Sequence, residues 1–99
     1  MNVPTSGWSN KNGTSGRQCG CTTWKQHWIN FNPSKMNWPV ICSIEGCKNT
    51  PTLGAHVINS RVSGEYIIPA CDACNKRSDS FTLRTGLSLV SANKSKTCQ

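Results

Sequence analysis

Cys42-Ser43-Ile44-Glu45-Gly46-Cys47 and, after a further 23 residues, Cys71-Asp72-Ala73-Cys74 are the stretches on which the fold turns. Four residues separate the first pair of cysteines and two the second. Such spacing lets a tight turn aim both sulfurs at one point about 2.3 Å away, the bond length of tetrahedral zinc thiolates. Gly46 supplies the permissive backbone such a turn needs. Nothing for several residues after Cys74 breaks a helix, so the second turn is expected to open a short one. Cys42, Cys47, Cys71 and Cys74 are therefore predicted to hold one zinc ion. The competing readings are two disulfides or four buried free thiols.

Working outward, 53–58 and 66–68 are apolar runs separated by the polar loop 59–64, which predicts two strands of a hairpin, with Pro69 closing the second. Residues 38–42 read as a short strand leading into the first cysteine turn. Phe81, Leu83, Leu87 and Leu89 alternate with polar neighbours around Arg84-Thr85-Gly86, as a terminal hairpin would. Upstream, Trp24, His27, Trp28 and Phe31 recur at i, i+3, i+4 and i+7 and share one helix face. Thr23 and Gln26 fit a capping box at its start, and Pro33 opposes continuation. Residues 1–18 hold almost nothing to bury except Trp8 and read as a flexible leader or a loop pinned late, with Trp8 either docked on the domain or left out of it. Residues 19–99 then form a single domain.

The chain has 99 residues, is 35% apolar and carries seven cysteines. One domain with a thin core is expected, and small domains of that kind need staples. An odd cysteine count would strand a thiol in a closed disulfide framework, whereas metal sites can complete their ligand sets with His27 or His56. Cys19, Cys21, His27 and Cys98 make a candidate second zinc site, in which Cys98 ties back the C-terminus. The alternative is that His27 packs among the tryptophans while Cys19 or Cys21 pairs with Cys98. The N-terminus shows no basic start followed by an apolar run, so a reducing, cytoplasmic setting is expected. No stretch reaches the roughly 18 apolar residues of a membrane span. The formal charge of +7 points to an anionic partner such as DNA or RNA. Two loaded zinc sites would bring that charge down to about +4.

Residues 42–77, just over a third of the chain, resemble the HNH endonuclease domain. The match is carried by the Cys42/Cys47 turn, Gly54-Ala55-His56-Val57-Ile58, the polar loop with Gly64, and Tyr66-Ile67-Ile68-Pro69-Ala70-Cys71-Asp72-Ala73-Cys74-Asn75. The resemblance implies a small α+β, metal-stabilised domain: a treble-clef, ββα-metal zinc core with short β-hairpins and two short helices. It also implies His56 as general base toward a water attacking a phosphodiester, and Asn75 as a ligand of a catalytic magnesium or manganese ion. Two positions depart from the family. Ala55 stands where a metal-binding Asp or His is usual, and Tyr66 where the middle asparagine is.

Three functions follow as expectations. The first is a nucleic-acid-binding zinc module presenting Lys48, Arg61, Lys76 and Arg77 to phosphates. The second is a metal-dependent endonuclease built on His56 and Asn75, with Asp72 or Glu65 supplying a missing contact. The third is a zinc domain whose aromatic residues meet a protein partner. His56 has a structural alternative as well, as a loop-bonding histidine or a spare zinc ligand, and Asn75 as a helix cap.

Overall fold

Residues 4–11, 23–32, 37–85 and 89–92 are described by a computed structural model of the chain. At its centre lies an antiparallel hairpin of β2 (Leu53–Asn59) and β3 (Val62–Ala70), the two β-branched-rich runs of the sequence. Register runs from Leu53 opposite Ala70 to Val57 opposite Tyr66, with an irregularity before Asn59 meets Val62. The connection is shorter than the six polar residues expected, because pairing continues to Val62. The Asn59 carboxamide oxygen accepts from the Arg61 backbone N–H at 2.9 Å, an Asx turn. Pro69 does not end the strand but sits opposite Gly54 within it. It has no N–H to donate there, and its carbonyl accepts from Ser43 N–H at 3.0 Å.

Two short strands complete the sheet in the order β1-β2-β3-β4. β1 (Trp8–Asn10) pairs with β2, and β4 (Val90–Ser91) pairs with β3 at Tyr66 and Ile67. β1 lies inside the stretch read as a leader. Trp8 is the reason: its side chain is fully buried and its indole N–H donates to the Pro4 carbonyl at 2.8 Å. Residues 12–18 of that stretch lie outside the described residues.

Alternation along the hairpin gives the sheet two apolar faces. Ala55, Val57, Ile68 and Ala70 join Trp8, Ile44, Phe81, Leu83 and the cysteines in one cluster. Ile67 faces the other way, into a cluster with Trp24, Trp28 and Val90. The second face is covered by α1 (Trp24–Phe31), the helix expected from its periodicity. Thr23 caps it as expected, accepting from Gln26 N–H at 3.1 Å, but the Gln26 side chain turns forward to Asn30 instead of back to the cap. Phe31, the fourth residue of the predicted apolar face, is 37% exposed.

Two expected elements differ. Residues 38–42 are irregular, and Cys42 N–H goes to Asn49 C=O at 2.9 Å and not to a strand. Phe81 and Leu83 do pair as extended chain, but with Trp8 and Ile44, so they are not one arm of a terminal hairpin. Gly86, Leu87 and Ser88 lie outside the described residues.

Candidate metal centre

The first cysteine pair closes a turn in which Gly46 adopts φ +87° and Cys47 N–H returns to Ile44 C=O at 3.0 Å. Neighbouring chain holds that turn on two sides. Ser43 N–H binds Pro69 C=O at 3.0 Å, and Glu45 N–H binds Thr82 C=O at 2.8 Å. The second pair sits at the start of α2 (Asp72–Asn75), with Cys71 as its N-cap. Asn10 of β1 secures the far end of that helix, its carboxamide N–H donating to the carbonyls of Cys74 and Arg77 at 2.9 Å each.

The four sulfurs lie within 4.8 Å of one another. All four are free thiols, and the Sγ atoms of Cys47 and Cys71 are 3.7 Å apart. A disulfide requires about 2.05 Å, whereas a tetrahedron with 2.3 Å zinc–sulfur bonds places its sulfurs about 3.8 Å apart. Cys42, Cys71 and Cys74 are buried and Cys47 is half-buried. Backbone N–H groups of Cys71 and Cys74 point at Cys42 Sγ and Cys71 Sγ at 3.4 Å, and Asn49 Nδ2 donates to Cys71 Sγ at 3.6 Å. Donors aimed at sulfur are what thiolates need and thiols do not.

The electrostatics of the cluster suit a cation. Burial pushes the Cys42 and Cys74 thiols up, and hydrogen bonds with Cys71 and Cys47 raise Cys74 further. At Cys71 burial acts in the same direction, but the N–H donors of Cys74 and Asn49 outweigh it and bring that thiol down to about 6. One proton leaves easily and the next thiolates then repel one another, so the full set of four charges needs a divalent ion among them. These residues can hold one zinc ion.

Arg84, which the sequence did not single out, also belongs to this centre. Its Nε donates to Cys42 C=O at 2.9 Å and its Nη2 to Cys47 C=O. No local pattern marks it. The signal was its place next to Leu83 in an extended segment whose partner strand could be known only from the fold.

The residues expected to do chemistry are arranged differently. His56 is 4% exposed, on the α1 face of the hairpin, with its ring edge-on to Trp24 at 5.1 Å. Its Nε2 donates to Glu65 Oε1 at 2.5 Å. Glu65 is the diagonal neighbour of His56 across the hairpin, one position before Tyr66. Ala55 points to the cysteine face, where it is 1% exposed within the apolar cluster. Tyr66 lies edge-on to Trp8 at 6.0 Å and donates its hydroxyl to Ser63 C=O at 3.3 Å. Asn75 ends α2, the helix of the cysteine face, so its element and the His56 ring flank opposite sides of the sheet.

His27 is fully buried and its Nε2 donates to Ser91 C=O at 2.8 Å. Cys19, Cys21 and Cys98, its expected co-ligands, lie outside the described residues. Of the basic residues expected to face phosphate, Lys76 pairs with Asp72 at 2.9 Å and Arg77 with Asp79 at 2.6 Å. Arg61 donates to Ser6 C=O at 2.5 Å, and Lys48 is exposed. No helix of the described residues is long and apolar enough to cross a membrane. Compared with family models, curated proteins and solved structures, the chain matches none.

Proposed function

We propose that this protein is a zinc-stabilised, nucleic-acid-binding module with a treble-clef, HNH-like core whose histidine serves structure and not hydrolysis. The observation that carries the reading is the order in which the four thiols are presented: a cysteine turn, a β-hairpin, then a helix whose first turn brings the second pair to the first. Zinc in such a centre is structural, with four protein ligands and no open position.

Charge and exposure support the binding half. A single four-thiolate zinc site leaves the formal +7 at about +5. Lys48 lies in the exposed stretch beside the cysteine turn, and Lys76 and Arg77 follow Cys74 directly. Lys76 is held by a surface ion pair with Asp72, weak enough to exchange for phosphate, while Arg77 adds to its Asp79 pair a bond to Ser80 C=O and a seat over the Phe81 ring. Three observations count against an endonuclease using magnesium or manganese: Ala55 has no ligand atom, His56 is buried beneath Trp24, and its Nε2 is committed to Glu65. A protein-interaction role finds less support in the tryptophans, because Trp8, Trp24 and Trp28 are buried.

A second zinc ion on Cys19, Cys21, His27 and Cys98 is part of the proposal. Its support is in the sequence: three cysteines remain beyond the first four, and His27 lies in the first turn of the helix that follows Cys21.

Anisotropy of labelled DNA and RNA oligonucleotides, titrated with zinc-loaded protein at 50 to 200 mM salt, tests binding. Affinity is expected to fall steeply with salt, and absent or salt-insensitive binding overturns it. Native mass spectrometry counts the metal: two zinc ions are expected, falling to one in Cys98→Ser.

A further inference from the structure

We propose that Arg84 is the positioning residue that sets the metal affinity of the four-cysteine centre. It does so by clamping the carbonyls of both ligands in the first pair. The inference rests on the zinc reading above and adds a residue to it that is neither a ligand nor close to one in sequence.

Arg84 makes three bonds to the cysteine turn. Its backbone N–H donates to Ser43 C=O at 2.9 Å, its Nε to Cys42 C=O at 2.9 Å, and its Nη2 to Cys47 C=O. The two acceptors belong to the residues whose sulfurs must converge. Guanidinium is planar, so Nε–H and Nη2–H stand in a fixed fork and dictate the spacing of whatever they bind. Holding the two carbonyls fixes the ends of the Cys42–Cys47 turn, and with them the directions of Cα–Cβ at both cysteines. The backbone prepares this contact: Leu83 is bridged to Ile44 and 3% exposed, so the residue after it is delivered to the turn. Thr82 C=O receives Glu45 N–H at 2.8 Å, which lays 82–84 along the whole turn.

The fork also carries a charge. A zinc ion with four thiolates has a net charge of −2, and Arg84 forms no ion pair with a carboxylate among the described residues. Its positive charge therefore falls on the metal centre's side of the molecule, half-buried, where screening by water is reduced. Lysine could supply the charge but not the two-pronged grip. Glutamine could supply neither.

The test uses the full chain, with zinc affinity read by competition against a chromophoric chelator and ligand geometry read from the cobalt(II) absorption bands. R84Q is expected to weaken zinc binding about 10- to 100-fold, as removal of a residue that orients metal ligands does, and to shift the cobalt–thiolate bands. R84K should fall between R84Q and the wild type. K25Q, which removes a cation of α1 that sits over Trp38 on the opposite face of the sheet, should match the wild type in both measurements. Wild-type affinity and unshifted bands in R84Q overturn the proposal. If R84Q does not fold, R84K decides: affinity and bands equal to wild type overturn the clamp. A wild-type chain that takes up no zinc overturns the zinc reading itself, a failure separate from this one.

Discussion

His56 and Glu65 form a polar contact that cannot be broken cheaply, because the imidazole is 4% exposed beneath Trp24 and its N–H has a carboxylate as acceptor at 2.5 Å. Removing the acceptor strands a buried donor. Glu65→Ala is expected to lower stability by about 1–3 kcal/mol in urea denaturation, while nucleic-acid affinity of the zinc-loaded protein stays unchanged. An unaltered urea midpoint would show the contact to be dispensable. Arg77 and Asp79 are the contrasting case. Bonding to Arg77 holds the Asp79 carboxyl down at about 2, so whatever this pair adds is complete above the usual carboxylate value of about 3.8 and lost as pH falls toward 2. The pair is exposed. Thermal midpoints of Asp79→Asn and wild type should accordingly differ little at pH 7 and converge by pH 2. The cysteine ligands were legible from sequence because reach within a turn is a local property. Arg84 was not, since its acceptors are 42 and 37 residues away and an arginine between polar neighbours reads as surface.

Among the elements, α1 sits where it does because Gly54 has no side chain. A Cβ at that position would lie 2.6 to 2.7 Å from backbone atoms of Trp24 and Lys25, closer than side-chain carbons ever approach backbone. Helix and strand therefore pack backbone to backbone, which brings Trp24 over His56 and Trp28 against Trp38. Gly54→Ala must push the helix outward, at a cost of about 1–3 kcal/mol typical of overpacking, measurable as a lowered thermal midpoint with zinc stoichiometry intact. Gly46→Ala should differ in kind. Nothing lies within 4 Å of its added Cβ, so the cost is only the left-handed backbone at φ +87°, about 1 kcal/mol, placed directly in the metal turn. Helix α1 was readable because three of the four residues of its predicted face, Trp24, His27 and Trp28, are the ones it buries. Phe81 and Leu83 were misassigned because alternation reports an extended chain but not its partner. Their partners, Trp8 and Ile44, come from segments read as leader and metal-binding turn.

At the scale of the whole molecule, one hairpin serves two cores. Its cysteine face buries Trp8, Ala55, Val57 and Ile68 around the four thiols, and its α1 face buries Trp24, Trp28, Ile67 and Val90. Neither cluster is large. Three of the eleven buried members of the cysteine-face cluster are candidate zinc ligands, with Cys47 packed at its margin, so a loaded centre stripped of zinc would be left with buried thiolates that must protonate or repel. The hairpin is common to both clusters, and its loss on one side exposes the apolar residues of the other. Chelation under reducing conditions is therefore expected to abolish the near-ultraviolet dichroism of the tryptophans on both faces in one cooperative step, and stoichiometric zinc is expected to restore it. Trp8 reports the cysteine face, and Trp24 with Trp28 the helix face, so Trp8→Phe separates the two signals. A metal-free protein that keeps the Trp24 and Trp28 signal after losing that of Trp8 would show that the helix face folds by itself, and that zinc organises only half of the domain.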